Sequence, residues 1–146
     1  MTEEESVLMN CLFFTTNRFA RNITKMADQM FDFDDLAPSY LYMIFVIHFH
    51  PKLTQKDLCQ RLSIAPSTST RFIDKLEKKK LVTRHVIGKE TAISLTDEGE
   101  RMYEQFRQAL KSFFDAYAAS IGREFSLELS KMLHEASVKL ETDRDI

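Results

Sequence analysis

The chain has 146 residues, 44% of them hydrophobic, with 12 Phe, three Gly, three Pro and a formal net charge of −2. That length suffices for one domain with a real core, and so few turn residues predict long helices and little sheet. No run reaches the roughly 18 apolar residues of a membrane span, the acidic start "MTEEESVLMN" lacks a signal-peptide pattern, and two distant Cys make no disulfide framework, so a cytoplasmic helical protein is expected.

Residues 5–31 read as one long helix, with Leu8, Leu12, Phe19, Ile23, Met26 and Met30 forming an apolar stripe widened by Val7, Cys11 and Phe14. "FDFDDLAP" ends it. Pro38 fits a first helical position, and 38–49 reads as a buried helix stopped by Pro51. "LTQKDLCQRLSI" opens with a capping-box pattern, Thr54 with Asp57. Leu58, Cys59 and Leu62 share a face of that helix. After a short break at 63–65, Pro66 restarts a helix to about Lys79, so the pair reads as a helix-turn-helix. The period then changes: "LVTRHVIGKETAISL" alternates, and predicts a two-stranded hairpin, 82–86 with 91–95, around Gly88. Thr96 is the expected N-cap of a long helix running to Ile121, with Asp97, Glu98 and Glu100 near its start and Gly122 at its end. Ser126 is the expected cap of a last helix with Leu129, Met132, Leu133, Ala136 and Leu140 inward. The predicted architecture is mainly α: a winged helix-turn-helix with a two-stranded wing, flanked by long N- and C-terminal helices that form a dimerisation region. Within one domain, 34–99 is the winged-helix lobe, and 1–33 with 100–146 are the flanking helices, too apolar to be satisfied without each other and a second copy.

Charge is distributed unevenly over this order. Residues 51–89 hold ten Lys/Arg against three Asp/Glu, a net of +7, between ends of net −4 and −5. A basic middle suggests one face made for a polyanion. On a helical wheel of 66–79, at about 100° per residue, Ser69, Phe72, Ile73 and Leu76 gather on the core side. The opposite side carries Ser67, Arg71, Asp74 and Lys78, with Thr70 and Lys75 at its edges. Small hydroxyls there allow close approach to a DNA major groove, and the methyls of Thr68 and Thr70 can meet thymine methyls. Arg71 can make a two-point contact with guanine, while Lys75, Lys78 and Lys79 suit phosphates. Asp74 is expected to order Arg71 or Lys78, its neighbours on the helix. Arg84 and Lys89, on the first wing strand and near the wing tip, add a second contact in or beside the minor groove.

"LTQKDLCQRLSIAPSTSTRFIDKLEKKKLVTR" followed by "AISLTDEGE" resembles the MarR family of bacterial winged-helix transcription regulators, most specifically in "STSTRFIDKLEKKKLV" and "SLTDEG". The resemblance is strong over 53–101 and consistent in helix order over the whole chain. It implies a homodimer with interlocked terminal helices that binds palindromic DNA, often near its own gene, with release by a small molecule or by thiol oxidation. It also implies an effector crevice between the dimer helices and the winged lobe, where Phe13, Phe14, Met43, Ile47, Tyr103 and Phe106 fall. Two departures stand out. Lys80 occupies a position that is often Gly in the family, where a left-handed backbone costs Lys on the order of 1 kcal/mol. The wing is shortened, "GKE" replacing the usual Asp-x-Arg element, so a phosphate contact is expected of Lys89.

Other chemistry is sparse. Cys11 lies where some relatives carry a peroxide-sensing cysteine, making it the candidate redox residue, but no base is near it in sequence until Arg18. Cys59 sits on a core face, as buried free Cys commonly does. His48 and His50, at i and i+2, do not converge on a metal; they are read as helix-end residues, His85 as a wing-strand residue near phosphates and His134 as a surface or dimer-seam residue. No catalytic constellation, cofactor loop or metal set is apparent, so no enzyme activity is expected. A repressor of transcription is the leading reading. The alternatives are a thiol switch through Cys11 and a winged-helix module that binds protein instead of DNA.

Overall fold

The computed structural model describes residues 1–33 and 35–144; Asp34, where the lobe is expected to begin, lies outside them. Two compact units are formed, one ending at Ala109 and the next beginning at Leu110.

The first unit opens with α1 (Glu3–Asn10), capped by a reciprocal pair: the Glu5 amide donates to Thr2 Oγ1 and the Thr2 amide to Glu5 Oε2. The single helix expected over 5–31 is broken at Cys11, which is extended (φ −77°, ψ 114°), and α2 (Leu12–Met30) follows. Neither Gly nor Pro marks the break. Short polar side chains instead capture backbone carbonyls around it: Asn10 Nδ2 donates to Ser6 O, Thr15 Oγ1 to Cys11 O, and Asn17 Nδ2 to Phe13 O. Such local bonds compete with a regular helix.

Pro38 starts α3 (Pro38–Phe49), whose Leu41, Met43, Ile44 and Ile47 are all buried. A short strand, β1 (Leu53–Thr54), precedes α4 (Gln55–Leu62), where Thr54 Oγ1 accepts from the Asp57 amide. Ser63 turns the chain in a left-handed conformation (φ 52°) into α5 (Pro66–Lys78). Strands β2 (Val82–Ile87) and β3 (Glu90–Leu95) form the wing hairpin, with Arg84 opposite Ile93 and Ile87 opposite Glu90. The sheet has three strands in the order β1-β3-β2, because Leu53 and Thr54 add to β3 in antiparallel register. Only Gly88 and Lys89 separate the paired ends. Gly88, first of the two, has φ +63°, the backbone pattern of a type II′ turn.

The core of this unit draws on every element of the lobe. Met43, Ile47, Leu58, Ile73, Leu76, Val82, Ile93 and Phe106 are all under 2% exposed. Phe106, on α6 (Asp97–Ile121), is ringed edge-on by Phe31, Tyr42 and Phe45.

The turn from α5 to β2 and the start of α6 are tied in one knot. Lys80 is left-handed (φ 63°), as expected for a position that favours Gly. Its amide donates to Glu77 O and that of Leu81 to Leu76 O, completing a Schellman cap. Thr96 Oγ1 donates to Lys80 O (2.6 Å) and accepts from the Gly99 amide (3.1 Å), while the Thr96 amide donates to Leu81 O. Gly99 is required there, since a Cβ would stand 2.1 Å from Leu81 O.

In the second unit the last turns of α6 carry Tyr117 in edge contact with the rings of Phe113 and Phe114. Gly122 (φ +94°) alone links α6 to α7 (Arg123–Arg144). The last helix thus starts three residues before the expected cap. Ser126 is instead inside its first turn, 3% exposed, with Oγ donating to Gly122 O. Its apolar residues Met132, Leu133, Ala136 and Leu140, expected inward, are exposed in the single chain. Among the described residues no helix is long and apolar enough to cross a membrane.

Candidate nucleic-acid interface

The face of α5 follows its wheel. Ser69, Ile73 and Leu76 are fully buried, while Ser67, Arg71, Asp74 and Lys78 are exposed. Thr68 is half-buried and Thr70 exposed. The Thr70 hydroxyl is already engaged, donating to Pro66 O (3.0 Å) and accepting from Gln55 Nε2 (2.6 Å). Gln55 bridges the start of α4 to α5, a role no sequence pattern announced because the partners lie 15 residues apart.

The cations divide into two groups. Arg71 lies 5.6 Å over the Phe72 ring, which is itself stacked on Tyr40 at 4.1 Å, so a flat guanidinium is propped on an aromatic shelf. Among the described residues Arg71, Lys78, Lys80 and Lys89 enter no ion pair. Lys75, Lys79 and Arg84 do. Lys79 Nζ is 2.6 Å from Asp35 Oδ1, and Lys75 Nζ is 3.6 Å from Asp35 Oδ2 while donating to Asp35 O and lying 5.0 Å over the Tyr40 ring. The hydrogen bond from Lys79, reinforced by the charge of Lys75, holds the Asp35 carboxyl below the usual carboxylate range against an opposing effect of desolvation.

Asp74 pairs neither with Arg71 nor with Lys78, as its place on the helix suggested. It accepts from Arg84 across the wing, and the second arm of the same guanidinium reaches Glu77 Oε1 at 2.9 Å. Arg84 therefore clamps β2 to α5 and neutralises two carboxylates beside the exposed face, a fork geometry that Lys cannot supply. Its side chain is only 24% exposed.

The wing tip is less polar than expected, with Val86 80% and Ile87 58% exposed beside Lys89. His85 Nε2 is bonded to Thr83 Oγ1 and Ser94 Oγ, both at 2.9 Å, within the hairpin. His48 stacks on Tyr103 (3.5 Å, 9° between planes) and its Nδ1 meets Glu100 Oε2 at 2.6 Å, joining α3 to α6. His50 is half-buried at the end of α3, and His134 is exposed on α7.

Of the residues assigned to an effector crevice, Met43, Ile47, Tyr103 and Phe106 are each buried, and it is Tyr42, Phe45 and His48 of α3 whose rings meet Tyr103 and Phe106 of α6. Phe14 is half-buried on α2, and Phe13 is 80% exposed. Cys11 is half-buried at the α1–α2 break and Cys59 is buried. Among the described residues no group of three or more His, Cys, Asp or Glu could hold a metal.

A helix-turn-helix whose second helix presents hydroxyls, an arginine and a lysine outward, with a hairpin clamped beside it, is a winged-helix DNA-binding fold. Residues 34–88 match the model of the MarR family. The HTH-type transcriptional repressor MdtR of Bacillus subtilis is 26% identical over 111 residues, covering 74% of this chain and 72% of that protein. The solved structure of the transcriptional repressor CouR bound to a 23-mer DNA duplex superposes with a TM-score of 0.81 at 16% identity, covering 94% and 99% of the two chains. That of the PcaV regulator from Streptomyces coelicolor in complex with its natural ligand gives 0.80 at 16% identity, covering 89% and 94%. The chain is thus similar to the MarR family over residues 34–88: it is a transcription regulator with a DNA-binding winged-helix fold.

Proposed function

We propose that the protein is a cytoplasmic repressor that binds a pseudo-palindromic operator as a homodimer and leaves it when a small-molecule effector binds. The observation that carries this reading is the exposed row Ser67, Arg71 and Lys78, set opposite the buried row Ser69, Ile73 and Leu76 on one short helix. In the complex α5 enters the major groove, Arg71 reads a guanine edge, Ser67, Thr68 and the Thr70 methyl line the approach, and Lys78 meets a phosphate. Lys89 meets the backbone beside the minor groove. Two copies place their α5 helices in successive major grooves about 34 Å apart.

Dimerisation rests on the flanking segments, 1–33 and 100–146, outside the 34–99 lobe. They carry apolar side chains left in solvent in the single chain, among them Phe13, Leu12 and Met9 at one end and Met132, Phe125 and Leu140 at the other. Patches of that kind mark an interface. That MdtR and CouR are named repressors supports the sign of regulation, and the ligand complex of PcaV supports an effector. The effector region is assigned to the surroundings of Phe13, Phe14, Met43, Ile47, Tyr103 and Phe106, where a ligand that favours mis-spaced lobes shifts the population off DNA.

The test is binding, by fluorescence anisotropy, to a duplex that the wild-type protein selects from random sequences and to a scrambled duplex. Arg71→Ala erases about 1–3 kcal/mol of preference between the two. Lys78→Ala weakens both equally and lowers the log–log salt slope by about 0.9. If neither substitution alters binding, α5 is not the reading helix.

A further inference from the structure

Two of the lysines that face the DNA side of α5 are held by an anion of the protein itself. Asp35 sits in the loop between α2 and α3, at the corner of a tight turn closed by the Leu36 amide donating to Phe33 O. Leu36, 3% exposed, anchors that turn in the core, and the left-handed backbone of Asp35 (φ 58°) turns its side chain toward α5. The carboxylate then receives Lys79 and Lys75, which lie one helical turn apart on the same edge of α5. Lys75 also donates a hydrogen bond to the Asp35 carbonyl, so both oxygens a passing phosphate would offer are already imitated.

The arrangement is poised for exchange. The Asp35 side chain is 70% exposed, and the two lysine side chains are 35% and 28% exposed, so these pairs stand in water and are screened by salt. A phosphodiester oxygen can take the place of the carboxylate without burying a charge. Lys78, between the two on the sequence but on the outer face, has no such partner among the described residues.

We propose that Asp35 is an affinity-setting residue that competes with the DNA backbone for Lys75 and Lys79, holding them off phosphate and so moderating affinity for any duplex. This rests on the reading that α5 enters the groove. It predicts that the charge of Asp35 opposes binding without affecting which bases are chosen, because phosphate contacts carry no sequence information.

Asp35→Asn removes the charge and keeps a residue that tolerates positive φ, and Asp35→Gly does so with still less backbone cost. Anisotropy titrations of the selected and the scrambled duplex, across about 50 to 200 mM salt, give the readout. Both variants bind both duplexes more tightly than wild type. The log–log slope steepens by about 0.9 for each lysine released per protomer, so each adds an about 3.5-fold greater loss of affinity over that fourfold change in salt. The ratio between the two duplexes stays as in wild type. In the triple variant Asp35→Asn, Lys75→Ala, Lys79→Ala the gain disappears, an outcome that a loop merely loosened by the first substitution does not produce. Circular dichroism establishes that each variant is folded. Unchanged or weaker binding at an unchanged slope, in folded Asp35 variants and alongside losses for Arg71→Ala and Lys78→Ala, overturns the proposal and leaves the groove reading standing. If Arg71→Ala and Lys78→Ala also bind like wild type, the groove reading falls and the proposal with it.

Discussion

Replacing Gly99 by alanine tests the knot that holds α5, the wing and α6 together. The added methyl would lie 2.1 Å from Leu81 O, 3.1 Å from Leu81 C and 3.2 Å from Leu95 Cβ. An unstrained carbon–oxygen contact is about 3.3 Å, so the first of these is short by about 1 Å. Neither side can yield cheaply. Leu81 O already accepts from the Thr96 amide, and Leu81 itself is in the Schellman cap of α5. Overpacking against side chains costs about 1–3 kcal/mol, and backbone on both sides puts this case at about 3 kcal/mol. For a chain of this length that lowers the thermal midpoint by about 6–12 °C. The sign is the sharper test. In a helix with free space at that position, Gly→Ala stabilises by up to about 1 kcal/mol, so the midpoint would rise. The measurement is thermal unfolding by circular dichroism at fixed protomer concentration, because self-association makes the midpoint concentration-dependent. Gly88→Ala is the comparison: its Cβ meets nothing within 4 Å, and only the positive φ costs about 1–2 kcal/mol. A Gly99→Ala midpoint equal to or above wild type would refute the account of the knot.

Lys80→Gly relieves the left-handed backbone at φ 63° and raises stability by about 1 kcal/mol in urea unfolding, with no change in the denaturant slope. Arg84→Ala exposes the charges of Asp74 and Glu77 beside the groove: affinity falls for specific and scrambled duplexes alike, the salt slope stays within error of wild type, and Asp74→Asn in that background restores part of the loss. A slope lower by about 0.9 in Arg84→Ala would instead mark Arg84 as a phosphate contact.

Where local chemistry decides the backbone, the sequence was a good guide. Thr54 and Thr96 cap their helices, Pro38 and Pro66 start theirs, and the alternation in 81–95 becomes a hairpin. The amphipathic face of α5 was equally legible, since a helix of known phase needs only its own residues to sort inside from outside. What escaped was set by distance or by competition. Asp35 and Lys75 are 40 residues apart, and Arg84 and Asp74 ten apart on different elements, so neighbours on the α5 wheel were the only partners in view for Asp74. The break at Cys11 carries no Gly or Pro; it arises from Asn and Thr side chains whose bonds to carbonyls are weak individually. Strand β1 is two residues long and exists through its pairing with β3, which no periodicity can reveal. The start of α7 was misjudged because Ser126 has the chemistry of a cap, yet spends its hydroxyl on Gly122 O within the helix.

The split among the α5 side chains bears on how such a protein changes its target over time. Ser67 and Arg71 are exposed and, among the described residues, hydrogen-bond to no other side chain, whereas Ser69, Ile73, Leu76 and Arg84 hold the lobe together. On the proposed groove reading, substitutions at the first pair change base contacts at little cost in stability, so a new operator is acquired one residue at a time without a detour through unfolded intermediates.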